Sequence, residues 1–98
     1  MECNQTVICG EIIRLGVLRY TPAGIPVVDF VVKHQSRQME SNIVRQVNCE
    51  MQTVALGETA KIISEMRLAS NVKITGFLNR KSQNNPQLVL HVDSIVKI

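Results

Sequence analysis

The chain has 98 residues, 45% of them hydrophobic and 19% charged, with a formal net charge of +3. That length supports one core and leaves each half too small for a second, so a single domain over residues 1–98 is expected; hiding only roughly 60 to 65% of its surface, it leaves an apolar edge that a second copy could cover. Cys3, Cys9 and Cys49 are odd in number and lack CxxC or Cys/His spacing, which argues against a disulfide framework and a metal site, and neither a membrane span nor a secretory signal is legible at "MECNQTVICGEII". The expectation is a cytoplasmic protein with no membrane partner, Cys9 and Cys49 serving as small core residues.

The first apolar run, Thr6 to Leu18, is long for one straight strand and contains Gly10 and Gly16. Glycine permits bulges and tight bends, so this run reads as a bent strand shared by two sheets of a small barrel. In "RYTPAGIPVVDF" that follows, Pro22 and Gly24 set a turn in which Gly24 is free to take positive φ, and Pro26 marks a strand entry. The second strand, "VVDFVVKH", places Val28, Phe30 and Val32 on one face and Val27, Asp29, Val31 and Lys33 on the other. After a loop "SRQMESN", the third strand puts Val47, Cys49 and Met51 inside and Gln46, Asn48 and Glu50 outside.

The alternation then breaks. In "ETAKIISEMRLAS", Thr59, Ile62, Ile63 and Met66 recur at helical spacing, which predicts a helix of about three turns after Gly57. "NVKITGFLNRK" returns to period two, with Val72, Ile74, Gly76 and Leu78 inward and Lys73, Thr75, Phe77 and Asn79 outward. A loop "SQNNPQ" leads to the last strand, in which Leu88, Leu90 and Val92 oppose Val89, His91 and Asp93. Three strands, a helix and two strands is the order of the OB-fold, a mainly-β, five-stranded Greek-key barrel with one short helix between strands three and four.

No catalytic constellation is legible. His34 and His91 have no serine, cysteine and acid arrangement beside them, Asp29 and Asp93 are isolated, and the glycines are too scattered to cradle a phosphate. The chain reads as a non-enzyme with no cofactor. Charge points elsewhere: no acidic residue lies between Glu65 and Asp93, while Arg67, Lys73, Arg80 and Lys81 fall inside that gap. Arg19 begins the first turn, Lys33 and Arg37 end the second strand, and Arg45 opens the third. In an OB-fold the hairpins between strands two and three and between strands four and five rim one face, which would bring these cations toward one groove for a single-stranded nucleic acid. Of the few rings, Phe30 alternates with valines and belongs to the core, which leaves Tyr20 and Phe77 to stack on bases.

"RYTPAGIPVVDFVVKH", together with "VICGEII" before it and "VKITGFL" after it, resembles the bacterial single-stranded DNA-binding proteins. Within that superfamily, "GIP" followed by "F" and "KH", the "RQ…CEM" strand and "GFL…LVLH" are similar to the primosomal replication protein N (PriB) family over essentially the whole chain. The resemblance implies an OB-fold homodimer that binds single-stranded DNA in replication restart, stabilises and stimulates the PriA helicase at stalled forks, and helps recruit DnaT so that the replicative helicase is reloaded. It also implies DNA contacts at the positions of Arg19, Arg80 and Lys81.

This sequence departs from that pattern where members carry aromatics in the hairpin between strands two and three and on strand three, here Ile43 and Asn48, and where a basic residue follows "KH", here Gln35. Fewer rings and charges imply weaker, more salt-sensitive DNA binding. Dimerisation is expected along the open edge of the first strand, at Val7 and Ile8. Two alternatives stand beside this reading: a general single-stranded DNA-coating protein, disfavoured by the absence of a glycine-rich tail after Ile98, and an OB-fold protein-interaction module with little DNA binding.

Overall fold

A computed structural model describes residues 1–98. The elements are β1 (Thr6–Leu15), β2 (Arg19–Tyr20), β3 (Pro26–Glu40), β4 (Ile43–Leu56), α1 (Glu58–Ser64), β5 (Asn71–Ser82) and β6 (Asn85–Lys97). Strands follow one another in the order β1-β5-β6-β4-β3, and a further β1–β3 pairing closes the barrel. β1 serves both neighbours by bending: residues 6–11 pair with β5, residues 11–15 pair with β3, and the register shifts between Ile12 and Arg14. At Gly10 a Cβ would lie 2.7 Å from the Lys33 carbonyl oxygen, so the close approach of β1 to β3 requires glycine there. The OB-fold order is therefore realised by the five long strands, with β2 an added two-residue bridge to the start of β3.

The opening turn forms as its residues dictate. Gly24 takes φ 84° and donates its N–H to the Thr21 carbonyl at 2.8 Å, after which Pro26 enters β3 opposite Tyr20. Inside the barrel lie Ile12, Val28, Phe30, Val32, Ile74 and Leu90, all at most 2% exposed. Truncating a ring such as Phe30 in a core of this kind costs about 3–5 kcal/mol. Thr53 is the one buried polar side chain, and its Oγ1 donates to the Phe30 carbonyl at 2.6 Å. Val27 and Val31 are buried as well, so the wall of β3 is covered on both faces rather than one.

Four expectations are corrected. The helix makes two turns over seven residues instead of three, because Glu65 caps it and Ala69, at φ 69°, turns the chain into β5. A short helix lying across a barrel buries one narrow stripe: Ala60 and Ile63 are inside, Met66 packs on the core edge, and Ile62 is exposed. The expected loops are strand: the β3–β4 ladder continues to Glu40↔Ile43 around Ser41 and Asn42, and the β5–β6 ladder to Ser82↔Asn85. Ser41 and Asn42 have φ of 50° and 65°, the left-handed pair that a two-residue hairpin turn needs. Cys9 and Cys49 are exposed, since Cys9 lies on the outer row of β1 and Cys49 on the part of the hairpin that projects past the barrel. Leu88 is exposed for the same reason, lying near the tip of the β5–β6 hairpin. No helix is long and apolar enough to cross a membrane.

Candidate nucleic-acid interface

Side chains directly opposite one another across a ladder share a face. Asp29 pairs with Val54 on β4, Val54 with His91 on β6, and His91 with Phe77 on β5. One row thus crosses three ladders on the outside of the barrel. Its inner neighbours, Phe30, Thr53 and Leu90, are buried, so the row rests on a rigid wall. β4 and β6 run parallel here and share only the pairs Thr53↔Leu90 and Val54↔His91. The strands splay on either side of that narrow contact.

A cleft of about 380 Å³ lies over the row, lined by Arg19, Asp29, Gln52, Val54, Lys81 and His91 among others. A second of similar volume adjoins it along the β5–β6 hairpin, lined by Asn79, Arg80, Lys81, Ser82, Gln83 and His91. Lys81 and His91 belong to both, so the two form one trough. Its cations are Arg19, Arg80 and Lys81, and its only carboxylate is Asp29, which already accepts a hydrogen bond from the Arg19 guanidinium. Both members of that pair are more than half exposed, so it contributes little to stability. A trough with three cations and one engaged carboxylate attracts a polyanion.

The predicted site residues divide between places. Arg19, Arg80 and Lys81 meet in the trough, and Tyr20, exposed, is the next residue after Arg19. Phe77 is 38% exposed and stacks on His91, with ring centroids 5.0 Å apart and planes 7° from parallel. Lys33 and Arg37 lie on the outer face of the β3–β4 hairpin, beside a separate hollow shared by Lys33, Gln35 and Cys9. Lys73 is on the outer face too, but near the other end of β5, between Cys9 and Val96.

Arg45 departs from the expectation. It pairs with Gln38, on the hairpin face opposite to Lys33 and Arg37, and its Nε donates to Glu40 at 3.1 Å. The two-residue turn sets that parity. Ile8 is also turned inward against the core, its backbone paired with Ile74, whereas Val7 remains exposed on the outer row. Past the end of the β1–β3 ladder, His34 Nδ1 lies 2.7 Å from the Cys9 carbonyl oxygen, so its ring bridges the two strands where they part.

His91 is the member of the trough that sequence reasoning passed over. Its outward position on the last strand was legible, but its pairing with Phe77 depends on a bulge. The register shifts between Thr75 and Gly76, so that Thr75 opposes Ser94 while Gly76 opposes Val92. At Gly76 a Cβ would lie 1.9 Å from the His91 carbonyl oxygen. Only glycine admits β6 that closely, and the bulge then sets His91 opposite Phe77.

The chain matches, over residues 4–94, the model described as "Another single-strand binding protein family", and it belongs to that family of OB-fold proteins. Single-stranded DNA-binding protein from Thermus aquaticus shares the fold, with a TM-score of 0.78 at 21% identity over 98% of this chain and 50% of that one. The similarity narrows further. Replication restart protein PriB of Nitrosomonas europaea is 44% identical over 89 residues, covering 91% of this chain and 82% of the relative, and that of Photorhabdus laumondii is 31% identical over 97% of this chain and 93% of its own length. PriB from Ralstonia solanacearum superimposes with a TM-score of 0.90 at 26% identity, over 98% of each chain. The chain is a member of the replication restart protein PriB family.

Proposed function

We propose that this chain binds single-stranded DNA along the trough and acts as an accessory protein of replication restart. In this reading it holds the PriA helicase on DNA at a stalled fork, stimulates unwinding, and helps recruit DnaT so that the replicative helicase is reloaded, working as a homodimer joined along β1 near the exposed Val7. The observation that carries the DNA-binding part is the cluster of Arg19, Arg80 and Lys81 around a trough whose one carboxylate is already engaged. Phosphates would lie along the cations, and bases would rest on the ring pair of Phe77 and His91.

Replacing both Arg80 and Lys81 with Glu, followed by titration with a labelled oligonucleotide, tests this. Affinity collapses if the trough is the binding site; unchanged affinity overturns the assignment. Repeating the titration with the restart helicase present separates intrinsic DNA binding from binding conferred by the complex. Sedimentation showing a monomer at micromolar concentration would refute the homodimer.

One observation favours a second reading, in which protein contacts outweigh DNA contacts. The tip of the β3–β4 hairpin exposes Met39, Ile43 and Val44, with Met39 and Val44 paired across the strands. Aliphatic side chains offer a base no stacking face, but they suit an apolar protein surface. Under that reading the Arg80 and Lys81 substitutions leave partner binding intact.

A further inference from the structure

The trough holds a titratable side chain that the cations alone do not account for. His91 is half-buried, lines both halves of the trough, and lies flat against Phe77 at 5.0 Å. Its imidazole nitrogens have no partner: the histidine ring nitrogens that are hydrogen-bonded belong to His34, held by the Cys9 carbonyl and Ser36. An imidazole braced on one face by a ring, with both nitrogens free, can accept a proton without breaking any contact.

The groups that face it set the sign of the effect. From β5 and its hairpin come Arg80 and Lys81, from β2 Arg19, and from β3 Asp29; β4 contributes only Gln52, Thr53 and Val54 to the lining. Asp29 is engaged by Arg19, so no free carboxylate competes for an imidazolium. A phosphate strand laid in the trough would set negative charge beside the ring. A cation stacked on Phe77 also gains from the face of the ring.

Building on the reading of the trough as a single-strand site, we propose that His91 is a DNA-contacting residue, held in place by Phe77, whose protonation adds a phosphate contact and tightens binding as the pH falls. The bound strand in turn draws the proton onto the ring, by linkage.

The test is fluorescence anisotropy with labelled oligothymidylate, whose bases do not titrate in this interval, at about pH 5.5 and about pH 8, which bracket the range where imidazoles change charge. One added phosphate contact steepens the log–log salt dependence by about 0.7, equivalent to roughly fivefold in affinity near 0.1 M salt. The wild-type protein is expected to bind about fivefold tighter at the lower pH, with the steeper slope. His91→Phe, which keeps a ring on Phe77 but cannot be protonated, should bind with the same affinity and slope at both pH values, and His91→Lys should hold the steeper slope at both. Wild-type affinity that does not change with pH, or a pH response that survives in His91→Phe, overturns the role of His91 while leaving the trough intact. No binding by the wild type at either pH refutes the single-strand reading itself. Circular dichroism on each variant confirms folding, and His91→Gln serves as the non-titrating variant if the larger ring does not fit.

Discussion

Gly76→Ala probes the local geometry on which the trough depends. A Cβ at this position would sit 1.9 Å from the carbonyl oxygen of His91 and 2.9 Å from its carbonyl carbon, against an ordinary contact of 3.4 Å or more. The obstacle is backbone, so no rotamer change relieves it. β6 must retreat until the gap reaches that ordinary distance, and the ladder bonds flanking Gly76 stretch past useful hydrogen-bond length. Losing two such bonds at about 1 kcal/mol each, with about 1–2 kcal/mol of overpacking, predicts a destabilisation of about 3–4 kcal/mol. For a domain of this size that lowers Tm by roughly 12 to 32 °C. Thermal melts followed by circular dichroism measure it, at fixed protein concentration because association shifts Tm. The variant should also bind an oligonucleotide more weakly, since Phe77 and His91 lose their register. A loss below about 0.5 kcal/mol, the usual range for an unremarkable surface change, would refute the claim that glycine is required here.

Three further outcomes separate the parts of the site. Asp29→Asn removes the trough's only carboxylate and frees Arg19, so affinity for single-stranded DNA should rise several-fold while stability changes by under about 1 kcal/mol; oligonucleotide titration and urea unfolding report the two quantities. Lys81→Gln should flatten the salt dependence of binding by about 0.7, whereas Arg45→Gln, on the β3–β4 hairpin and outside the trough, should leave it unchanged; equal effects would refute the exclusion of Arg45 from the site. Asn48→Trp places a ring on the same hairpin face as Lys33 and Arg37, and if a strand crosses that face the affinity should gain about 1–3 kcal/mol, read by tryptophan quenching on titration.

Legibility in the sequence tracked how different the two sides of each strand are. In β5, Val72 and Ile74 are buried while Lys73 and Phe77 are exposed, so period two read directly as inside and outside. The same pattern in β3 named Phe30 as core correctly. It could not reveal that Val27 and Val31 are covered as well, because burial of an outer row depends on distant elements. Beyond the barrel both faces of a hairpin meet water, alternation loses its meaning, and "SRQMESN" and "SQNNPQ" read as loops when they are mostly ladder. Arg45 was misplaced as a consequence. With a seven-residue loop its side is undetermined, and only the two-residue turn at Ser41 and Asn42 puts it opposite Gln38. The Phe77 and His91 pair rests on a bulge whose position is a property of two strands together, and neither strand alone encodes it.

The chemistry of the trough and that of the hairpin tip point in different directions, and the difference follows from which residue types each presents. Charge is retained where Arg19, Arg80 and Lys81 converge, but the positions that would add rings to the long hairpin carry Ile43 and Asn48 instead. Stacking energy depends weakly on salt, whereas phosphate contacts depend on it steeply. Under the proposed reading, a site built from three cations and a single ring pair should hold a strand loosely and yield to ionic strength. A partner that seats itself on the Met39 and Val44 pair draws on buried apolar area, which salt does not weaken. The two surfaces lie on different parts of the fold, one on the barrel wall and one at the tip of its longest hairpin, so a strand and a protein can be held at once. Weak intrinsic DNA binding is then compatible with firm residence at a fork, because occupancy of either surface raises the effective concentration at the other.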